Sequence, residues 1–516
     1  MQTLPTKDFL IKKLGLIRGN PFSDTQAEEE EQLSKYFVDL PAFYKILDID
    51  MRKPKSSILS ASRGCGKSAN RRNVERWLTD GPKQGSKGKW AWKSPVLVVS
   101  YTDFSRLKIL IDGDFSKTQP EDHVSTILWF CISSFLEYLA KIWTLDRPKE
   151  IPSWNIFQLG YFLVNYTTKW AHLKSTPKDA NPDTVVSLNQ NLDSFLYAVC
   201  QFAKNAEYLA LGGASGLLQG FKDVTNAFGI RDIAILVDGV DELELTANNP
   251  RLGAVLLKSL IAERSLMQLD GVYFKFFLPS EVVFELKKMP EARIGERITV
   301  YEMLWDEISI RLLLTERLKA FSNGTLRDLG QIASVDVKDV SRSLAAYANN
   351  NPRNLIRLCN YLLIQLEQSI SKSQITEKNQ KPKITRKIID EAVKSFENDT
   401  MYFSTYSTLE LKAGVEYVPL FSAFGWEVTH DLKVVHKGNI ISAEKLDPKE
   451  YKIFSYLVEH AGEIVKREDL GEAVWKEKWV AKYGWVLNQT ILRLRKKIGH
   501  GRIETVRGIG YKFHTK

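Results

Sequence analysis

The sequence predicts an α/β fold, a parallel sheet with helices on both faces, for most of its 516 residues, and then a smaller α+β domain. Apolar runs at 95–101, 233–237 and 272–278 are typical of strands buried on both faces, and long stretches of helical periodicity separate them. From Phe424 onward, 18 Lys and Arg stand against 12 Asp and Glu, a net +6 of the chain's +10. A basic end on a nearly balanced body predicts a module that binds a polyanion.

A glycine-rich motif follows the first expected strand. Its residues are Ala61-Ser-Arg-Gly-Cys-Gly-Lys-Ser68, with a strand-like segment at 56–60 before it and a helical run at 69–78 after it. A strand, a tight loop, Gly-Lys-Ser and a helix are the parts of a P-loop, in which backbone N–H groups and a helix N-terminus bind phosphates. The motif therefore predicts a nucleotide site.

Each residue type in this motif suits phosphate binding. Gly64 and Gly66 allow backbone N–H groups to turn inward, Lys67 can reach the β- and γ-phosphates, and Ser68 can hold Mg²⁺. Cys65 lies inside the loop, so modification of its thiol would block the nucleotide. Alanine replaces the usual first glycine of the motif, and an alanine fits there only if the φ angle of that residue is negative. We expect ATP and Mg²⁺ as cofactors.

Acidic residues follow the strand-like run at 233–237. Asp238 would lie at the carboxyl end of the strand, where open α/β sheets bind ligands, and there it could hold Mg²⁺ through a water molecule. Asp241 and Glu242 are then placed to orient or deprotonate the attacking water. A buried strand that runs into acids is common by itself, but together with the P-loop it predicts nucleotide binding and hydrolysis.

The segment Asp238-Gly-Val-Asp-Glu242 resembles the Walker B motif of the STAND class of regulatory ATPases, including NACHT-type proteins, which belong to the AAA+-like branch of P-loop NTPases. The resemblance implies a nucleotide-dependent switch that hydrolyses ATP slowly and often oligomerises. Asn349-Asn-Asn-Pro-Arg353 resembles the start of an AAA+ lid helix, which implies that Pro352 touches the nucleotide and that Arg353 reaches the γ-phosphate. The alternative for these two residues is an ordinary helix start with a solvated arginine.

The organisation expected along the chain has five parts: an N-terminal strap at 1–55, the ATPase core at 56–300 with a helical insertion at about 122–228, a helical lid at 301–400, a linker at 401–423 and a C-terminal domain at 424–516. The acidic run at 28–31 belongs to the strap, and its alternative is a solvated helix face. The four cysteines are far apart, which predicts no zinc framework and favours the cytoplasm. The apolar segment 127–143 contains charges and predicts a buried helix, so we expect no membrane span.

Segments of the last 71 residues resemble, in order, the OmpR/PhoB-type winged helix. They are the opening helix at 446–457, the second helix at 462–470 with Trp475, the end of the recognition helix at 491–498 and the wing hairpin at 505–511. The resemblance also implies a small sheet at 424–441 and binding of double-stranded DNA. In that family a receiver domain precedes the module, and here the predicted ATPase takes its place.

The expected recognition helix has one apolar and one polar face. Leu487, Ile491, Leu494 and Ile498 follow helical spacing and predict the buried stripe. On the other face, Gln489 and Arg493 can read base edges in a major groove and Lys496 suits phosphate, while Arg507 of the wing can reach phosphate or the minor groove. Trp485 and Leu492 on the same outer face favour the alternative that the winged helix contacts protein.

These predictions combine into a nucleotide-switched transcription regulator that binds DNA through its C-terminal domain and forms a homo-oligomer on ATP binding. One alternative is an antiviral defence ATPase of the STAND type, in which the winged helix would contact a protein partner or an effector. Another is a DNA-loading ATPase that resembles origin-recognition proteins, which share the AAA+ and winged-helix layout.

Overall fold

The computed structural model divides into two compact units, Met1–Lys394 and Ser395–Lys516. It describes most of the chain, and the elements below lie in the described part. The described residues are 5–24, 27–30, 32–81, 90–93, 95–144, 148–174, 188–189, 191–204, 212–243, 245–335, 337, 339–372, 382–409, 421–423, 426–428, 433–436, 439–441, 446–475, 483–499, 501–506 and 509–515.

A parallel sheet forms the centre of the larger unit, as the sequence predicts. Its strands are β1 (Ser57–Ala61), β2 (Val96–Tyr101), β3 (Asp232–Val237), β4 (Val272–Pro279) and β5 (Thr299–Glu302). They are hydrogen-bonded in the order β2-β3-β4-β1-β5, and every pairing is parallel. The inner strands β1, β3 and β4 are buried along their whole length, whereas the edge strand β2 is fully buried only at alternate residues, although its apolar run predicted burial on both faces.

Helices precede, separate and follow these strands in the chain. They are α1 (Leu33–Tyr36), α2 (Pro41–Ile46), α3 (Lys67–Asp80), α4 (Ser105–Leu110), α5 (Pro120–Ile142), α6 (Ser153–Tyr166), α7 (Leu192–Lys204), α8 (Gly213–Ala227), α9 (Pro250–Ala262), α10 (Arg264–Met267), α11 (Ser280–Lys287), α12 (Glu307–Phe321), α13 (Val340–Tyr347), α14 (Pro352–Lys372) and α15 (Arg386–Leu409). α15 continues nine residues into the segment predicted as a linker.

The segment predicted as a helical insertion holds α5 to α8. Side chains of these helices, such as Phe135, Phe162 and Phe221, pack in the same apolar core as the strands β2 and β3. Among the described residues, α5 is long and apolar enough to cross a membrane, and 50% of its apolar window is buried inside the fold. We interpret α5 as a core helix, because its buried side chains belong to this core.

The N-terminal segment packs against both α3 and α12. Glu28 Oε1 lies 3.0 Å from Arg71 Nη2 on α3. Glu30 is buried and accepts from both Nη atoms of Arg317 on α12 at 3.0–3.1 Å, while the Tyr36 hydroxyl donates to it at 2.7 Å. The alternative of a solvated acidic face is therefore wrong for Glu30, which is buried against Arg317, whereas the Glu28 side chain is 53% exposed and stays at the surface while it pairs with Arg71.

In its described residues, the smaller unit contains two antiparallel sheets and three helices of its own. In chain order the elements are β6 (Phe421–Ala423), β7 (Trp426–Val428), β8 (Val434–His436), β9 (Asn439–Ile440), α16 (Pro448–Glu459), β10 (Ile464–Lys466), α17 (Arg467–Trp475), α18 (Tyr483–Ile498), β11 (Ile503–Val506) and β12 (Gly510–Phe513). The sheet orders are β6-β7-β8-β9 and β10-β12-β11. Trp426, Phe454 and Phe513 meet in the core of this unit, with ring centroids 5.4–5.9 Å apart.

Candidate functional sites

The glycine-rich loop joins the carboxyl end of β1 to the first turn of α3. Gly64 and Gly66 have φ angles of +78° and +87°, a region that side-chain-bearing residues adopt only with strain. A Cβ atom at Gly64 would also lie 2.8 Å from Asn351 Oδ1, so space requires glycine there as well. α3 begins at Lys67, directly after Gly66, and its first backbone N–H groups therefore lie at the loop.

Lys67, Ser68 and Asp238 meet beside this loop. β1 and β3 both neighbour β4 in the parallel sheet, so their carboxyl ends lie at the same edge. The Ser68 side chain is close enough to the carboxylate of Asp238 to lower its pKa, and Asp238 is 3% exposed. The buried Lys67 side chain has its Nζ 3.9 Å from Asp241 Oδ2. The residues predicted to bind phosphate and to hold a metal ion are thus neighbours.

Burial shapes the acidity of the carboxylates after β3. It raises the pKa of Asp238, against the opposing effect of the bond from Ser68 and the charge of a nearby arginine. Burial also raises the pKa of Glu242, and the negative charges of Asp238, Glu28 and Asp241 act in the same direction. The described part of the chain contains no group of three or more His, Cys, Asp or Glu that could hold a metal ion alone.

Two arginines that the sequence analysis missed enter the site. Arg63 lies in the loop, with its Nε 3.3 Å from Asp241 Oδ2. Arg71 follows Ser68 by one helical turn, and its buried Nε lies 3.4 Å from Asp238 Oδ2. Helical spacing was a usable signal for Arg71, since residues three apart share a helix face. No local signal marked Arg63, because Asp241 is 178 residues away.

The start of α14 contacts the glycine-rich loop. The Arg353 N–H donates to the Gly64 carbonyl oxygen at 3.1 Å, and Asn351 Nδ2 donates to the Arg63 carbonyl oxygen at 2.8 Å. Pro352, the first residue of α14, is buried, whereas Arg353 is exposed. The structure therefore brings the predicted lid residues to the loop, and Asn351 is an addition to them.

Cys65, inside the loop, is bonded through its backbone to the start of the segment predicted as a lid. Trp305 Nε1 donates to its carbonyl oxygen at 2.9 Å. Burial raises the pKa of the Cys65 thiol, partly offset by the positive charge of Lys67. The thiol is therefore less readily ionised than that of an exposed cysteine, and this lowers its reactivity.

In the smaller unit, α18 has the two faces that the sequence predicts. Leu487, Ile491, Leu494 and Ile498 are buried in the core of the unit. Lys496 is exposed and Gln489 is partly exposed on the other side, and Leu492 is 43% exposed. Arg507 and the side chain of Trp485 lie outside the described residues.

Arg493 has protein partners within the same unit. Its Nε lies 3.1 Å from Glu450 Oε1 and its Nη2 lies 3.3 Å from Asp447 Oδ2, at the first turn of α16. Burial alone would raise the pKa of Glu450, but bonds from Lys497, the Asp447 backbone and Arg493 together hold it below the ordinary value. The side chain of Arg493 is 52% exposed, so it remains on the surface while it is ion-paired.

Comparison with known proteins bears on this smaller unit. Residues 442–513 match the model of the family described as transcriptional regulatory protein, C terminal. The segment therefore forms an OmpR/PhoB-type winged-helix domain, as its sequence predicts. The match covers a small part of the chain and describes this domain alone.

Similar curated proteins match over the same segment. The regulatory protein VanRc of Enterococcus gallinarum is 45% identical over 71 residues, 13% of this chain and 30% of that protein. The transcriptional regulatory protein CseB of Streptomyces coelicolor is 40% identical over 72 residues, 13% of this chain and 28% of that protein. This chain thus spans about 30% of the length of these relatives. Among solved structures, the DNA binding domain of CpxR from E. coli matches at 22% identity, with a TM-score of 0.16, over 19% of this chain and 97% of that one.

Proposed function

We propose that the chain is an ATP-binding and ATP-hydrolysing regulator of transcription, acting in the cytoplasm, in which the larger unit binds ATP with Mg²⁺ and controls DNA binding by the winged helix. The nucleotide state would act through assembly of a homo-oligomer or through release of the DNA-binding domain. The ATP part is supported by the geometry of the loop: Gly64 and Gly66 have positive φ directly before α3, and the buried Lys67 has its Nζ 3.9 Å from Asp241 Oδ2.

The residues at this edge of the sheet fit a Mg²⁺ ion that binds together with a nucleotide. A hydroxyl and a carboxylate are hard oxygen ligands, and phosphate oxygens and water would complete the coordination of the ion. When bound, Mg²⁺ would neutralise part of the phosphate charge. Ser68 and Asp238 would hold it.

Other residues would bind and cleave the nucleotide. Lys67 would contact the β- and γ-phosphates, and the N–H groups of the loop 62–66 would surround them. Pro352 would contact the nucleotide and Arg353 would reach the γ-phosphate. Glu242 is the better candidate for the general base, because its raised pKa favours proton acceptance from water, whereas Asp241 is engaged by two cations.

The winged-helix domain supports the DNA part of the proposal. In this reading α18 enters the major groove, Gln489 reads a base edge and Lys496 contacts phosphate. Arg493 reads a base only after it exchanges its bonds to Asp447 and Glu450 for bonds to DNA. Arg507 of the wing would contact phosphate or the minor groove.

Two measurements on the full chain test this function. Calorimetry with Mg²⁺ and ATP should show binding to the unaltered chain and none to Lys67→Ala, because the variant lacks the charge that contacts the phosphates. The matched control is Lys108→Ala, an exposed lysine of α4.

Selection of duplexes from random sequences, with and without ATP, should enrich a common site. Unchanged ATP affinity in folded Lys67→Ala contradicts the nucleotide site, and enrichment of no duplex contradicts the DNA site.

A second candidate function is contact with a protein partner or effector through the winged helix, as in a defence ATPase. Leu492 of α18, Ile464 of β10 and Ile509 beside β12 are 43–49% exposed. Exposed apolar side chains are common at partner sites. Failure of the folded chain to bind any duplex at low salt favours this candidate.

A further inference from the structure

Arg63 links the glycine-rich loop to the acidic turn that follows β3. Besides its ion pair with the Asp241 carboxylate, its Nη2 donates to the carbonyl oxygen of Asp241 at 3.2 Å and to that of Ala247. The Asp241 side chain is 15% exposed, so this ion pair is partly shielded from water. A single side chain of the loop thereby contacts the backbone after β3 at two residues, Asp241 and Ala247.

A second cation approaches the same carboxylate oxygen. Lys67 Nζ lies 3.9 Å from Asp241 Oδ2, the atom that Arg63 Nε approaches at 3.3 Å. Lys67 is the residue that the proposed function assigns to the β- and γ-phosphates. One carboxylate therefore lies between two cations of the phosphate-binding loop, where an oxygen of a terminal phosphate would compete for them.

We propose that Asp241 substitutes for the γ-phosphate in the nucleotide-free protein, and that Arg63 is the residue by which the site distinguishes ATP from ADP. The inference rests on the proposed function. A γ-phosphate carries more charge than a carboxylate, and a guanidinium binds phosphate oxygens in a bidentate manner. ATP would therefore take Arg63 from Asp241 and release the turn 241–247.

ADP would leave the link intact. Its β-phosphate would be bound by the N–H groups of the loop and by Lys67, which need not involve Arg63. The position of the turn 241–247 would then report the presence of the γ-phosphate. Glu242 belongs to this turn, so the same exchange would change the surroundings of the proposed general base.

The test is calorimetry of the full chain with Mg²⁺ and either ADP or a non-hydrolysable ATP analogue. Arg63→Ala should weaken binding of the ATP analogue about tenfold, the loss of one charged hydrogen bond, and leave ADP affinity nearly unchanged. Asp241→Asn should tighten binding of the analogue more than that of ADP, because it removes the competing charge. Arg76→Ala is the matched control, since Arg76 is half-exposed on α3 and lies 3.5 Å from Asp80.

The outcomes separate this inference from the proposed function. Equal losses for both nucleotides in Arg63→Ala, or unchanged affinities in Asp241→Asn, contradict the role of Arg63 and Asp241 in distinguishing ATP. Absence of nucleotide binding to the unaltered chain contradicts the proposed function itself. Arg63→Ala also removes bonds to two backbone carbonyl oxygens, so its thermal unfolding is compared with that of the unaltered chain. Asp241→Asn leaves both of those bonds in place and therefore tests the same inference independently.

Discussion

At the scale of single residues, the burial of Glu242 predicts a measurable pH dependence of ATP turnover. Its pKa lies above the ordinary 4.5 because of burial and three neighbouring carboxylates, so Glu242 takes up a proton at a higher pH than an exposed glutamate does. A protonated carboxyl cannot accept a proton from water. ATP turnover should therefore fall, as the solution is acidified, before ordinary carboxylates become protonated.

Glu242→Gln tests this assignment. The amide keeps the shape of the side chain, so ATP affinity measured by calorimetry should be retained while turnover slows about a hundredfold or more, as expected for loss of a general base. Any residual turnover should lack the acidic decline seen in the unaltered chain. Turnover at the original rate, with the original pH profile, would mean that another group accepts the proton.

Some residues of the proposed nucleotide site can be recognised from a short stretch of sequence, and others cannot. Gly64, Lys67 and Ser68 lie within one short motif, and the sequence alone brings them to one loop. Arg63 and Asn351 could not be predicted, because their roles depend on contacts 178 and 288 residues away along the chain. Sequence motifs identify the residues expected to touch phosphate, whereas the side chains that hold the loop itself become visible only in the fold.

At the scale of elements, the N-terminal strap is joined to α12 by a buried ion pair. Glu30 and Arg317 are 6% and 3% exposed, so a variant that neutralises Glu30 leaves a buried guanidinium without its countercharge. Glu30→Gln should lower the free energy of unfolding by about 3 kcal/mol or more. Glu29→Gln, at an exposed residue of the same segment, should change it little. Thermal unfolding of both variants measures the difference, and equal transition temperatures would contradict a stabilising role for the strap.

The outer face of α18 gives a second test at this scale. Lys496 is exposed and is assigned to phosphate, so Lys496→Ala should weaken binding of all duplexes alike. The slope of log affinity against log salt should also decrease by about one, because one fewer counterion is released. Lys452→Ala, an exposed lysine of α16 in the same unit, is the control. A loss confined to one duplex sequence would instead assign base recognition to Lys496.

Strands and helices with many apolar residues were easier to predict from the sequence than those with few. β3 and β4 are buried throughout, and their apolar runs predicted strands. β5 was not predicted, because this edge strand has four residues, all of them partly or fully exposed, and its sequence shows no clear alternation of apolar and polar residues. The buried apolar stripe on α18 could be predicted from the helical spacing of its apolar residues. The ion pairs of Arg493 with Asp447 and Glu450 could not, because they depend on where α16 lies in the fold.

At the scale of the whole molecule, the functions assigned to the two units rest on different kinds of observation. The smaller unit has relatives of known class over residues 442–513, whereas the assignment of the larger unit depends on its motifs and on the contacts of Lys67 with Asp241 and of Arg71 with Asp238. The two proposals become one function only if nucleotide and DNA binding are coupled. Thermodynamic linkage makes such coupling reciprocal: whatever factor ATP contributes to DNA affinity, DNA contributes to ATP affinity.

Coupling of the two sites should therefore be measurable from either side. With Lys67 intact, a duplex that carries repeated half-sites should tighten ATP binding, and ATP should tighten duplex binding by the same factor. If ATP assembles several chains, their winged helices add through effective concentration, and light scattering should show a larger mass with ATP. If ATP instead releases one winged helix, the mass stays that of a monomer while DNA affinity rises. Equal DNA affinity with ATP, with ADP and without nucleotide would contradict both mechanisms, because a ligand shifts an equilibrium only by its differential affinity for the two states.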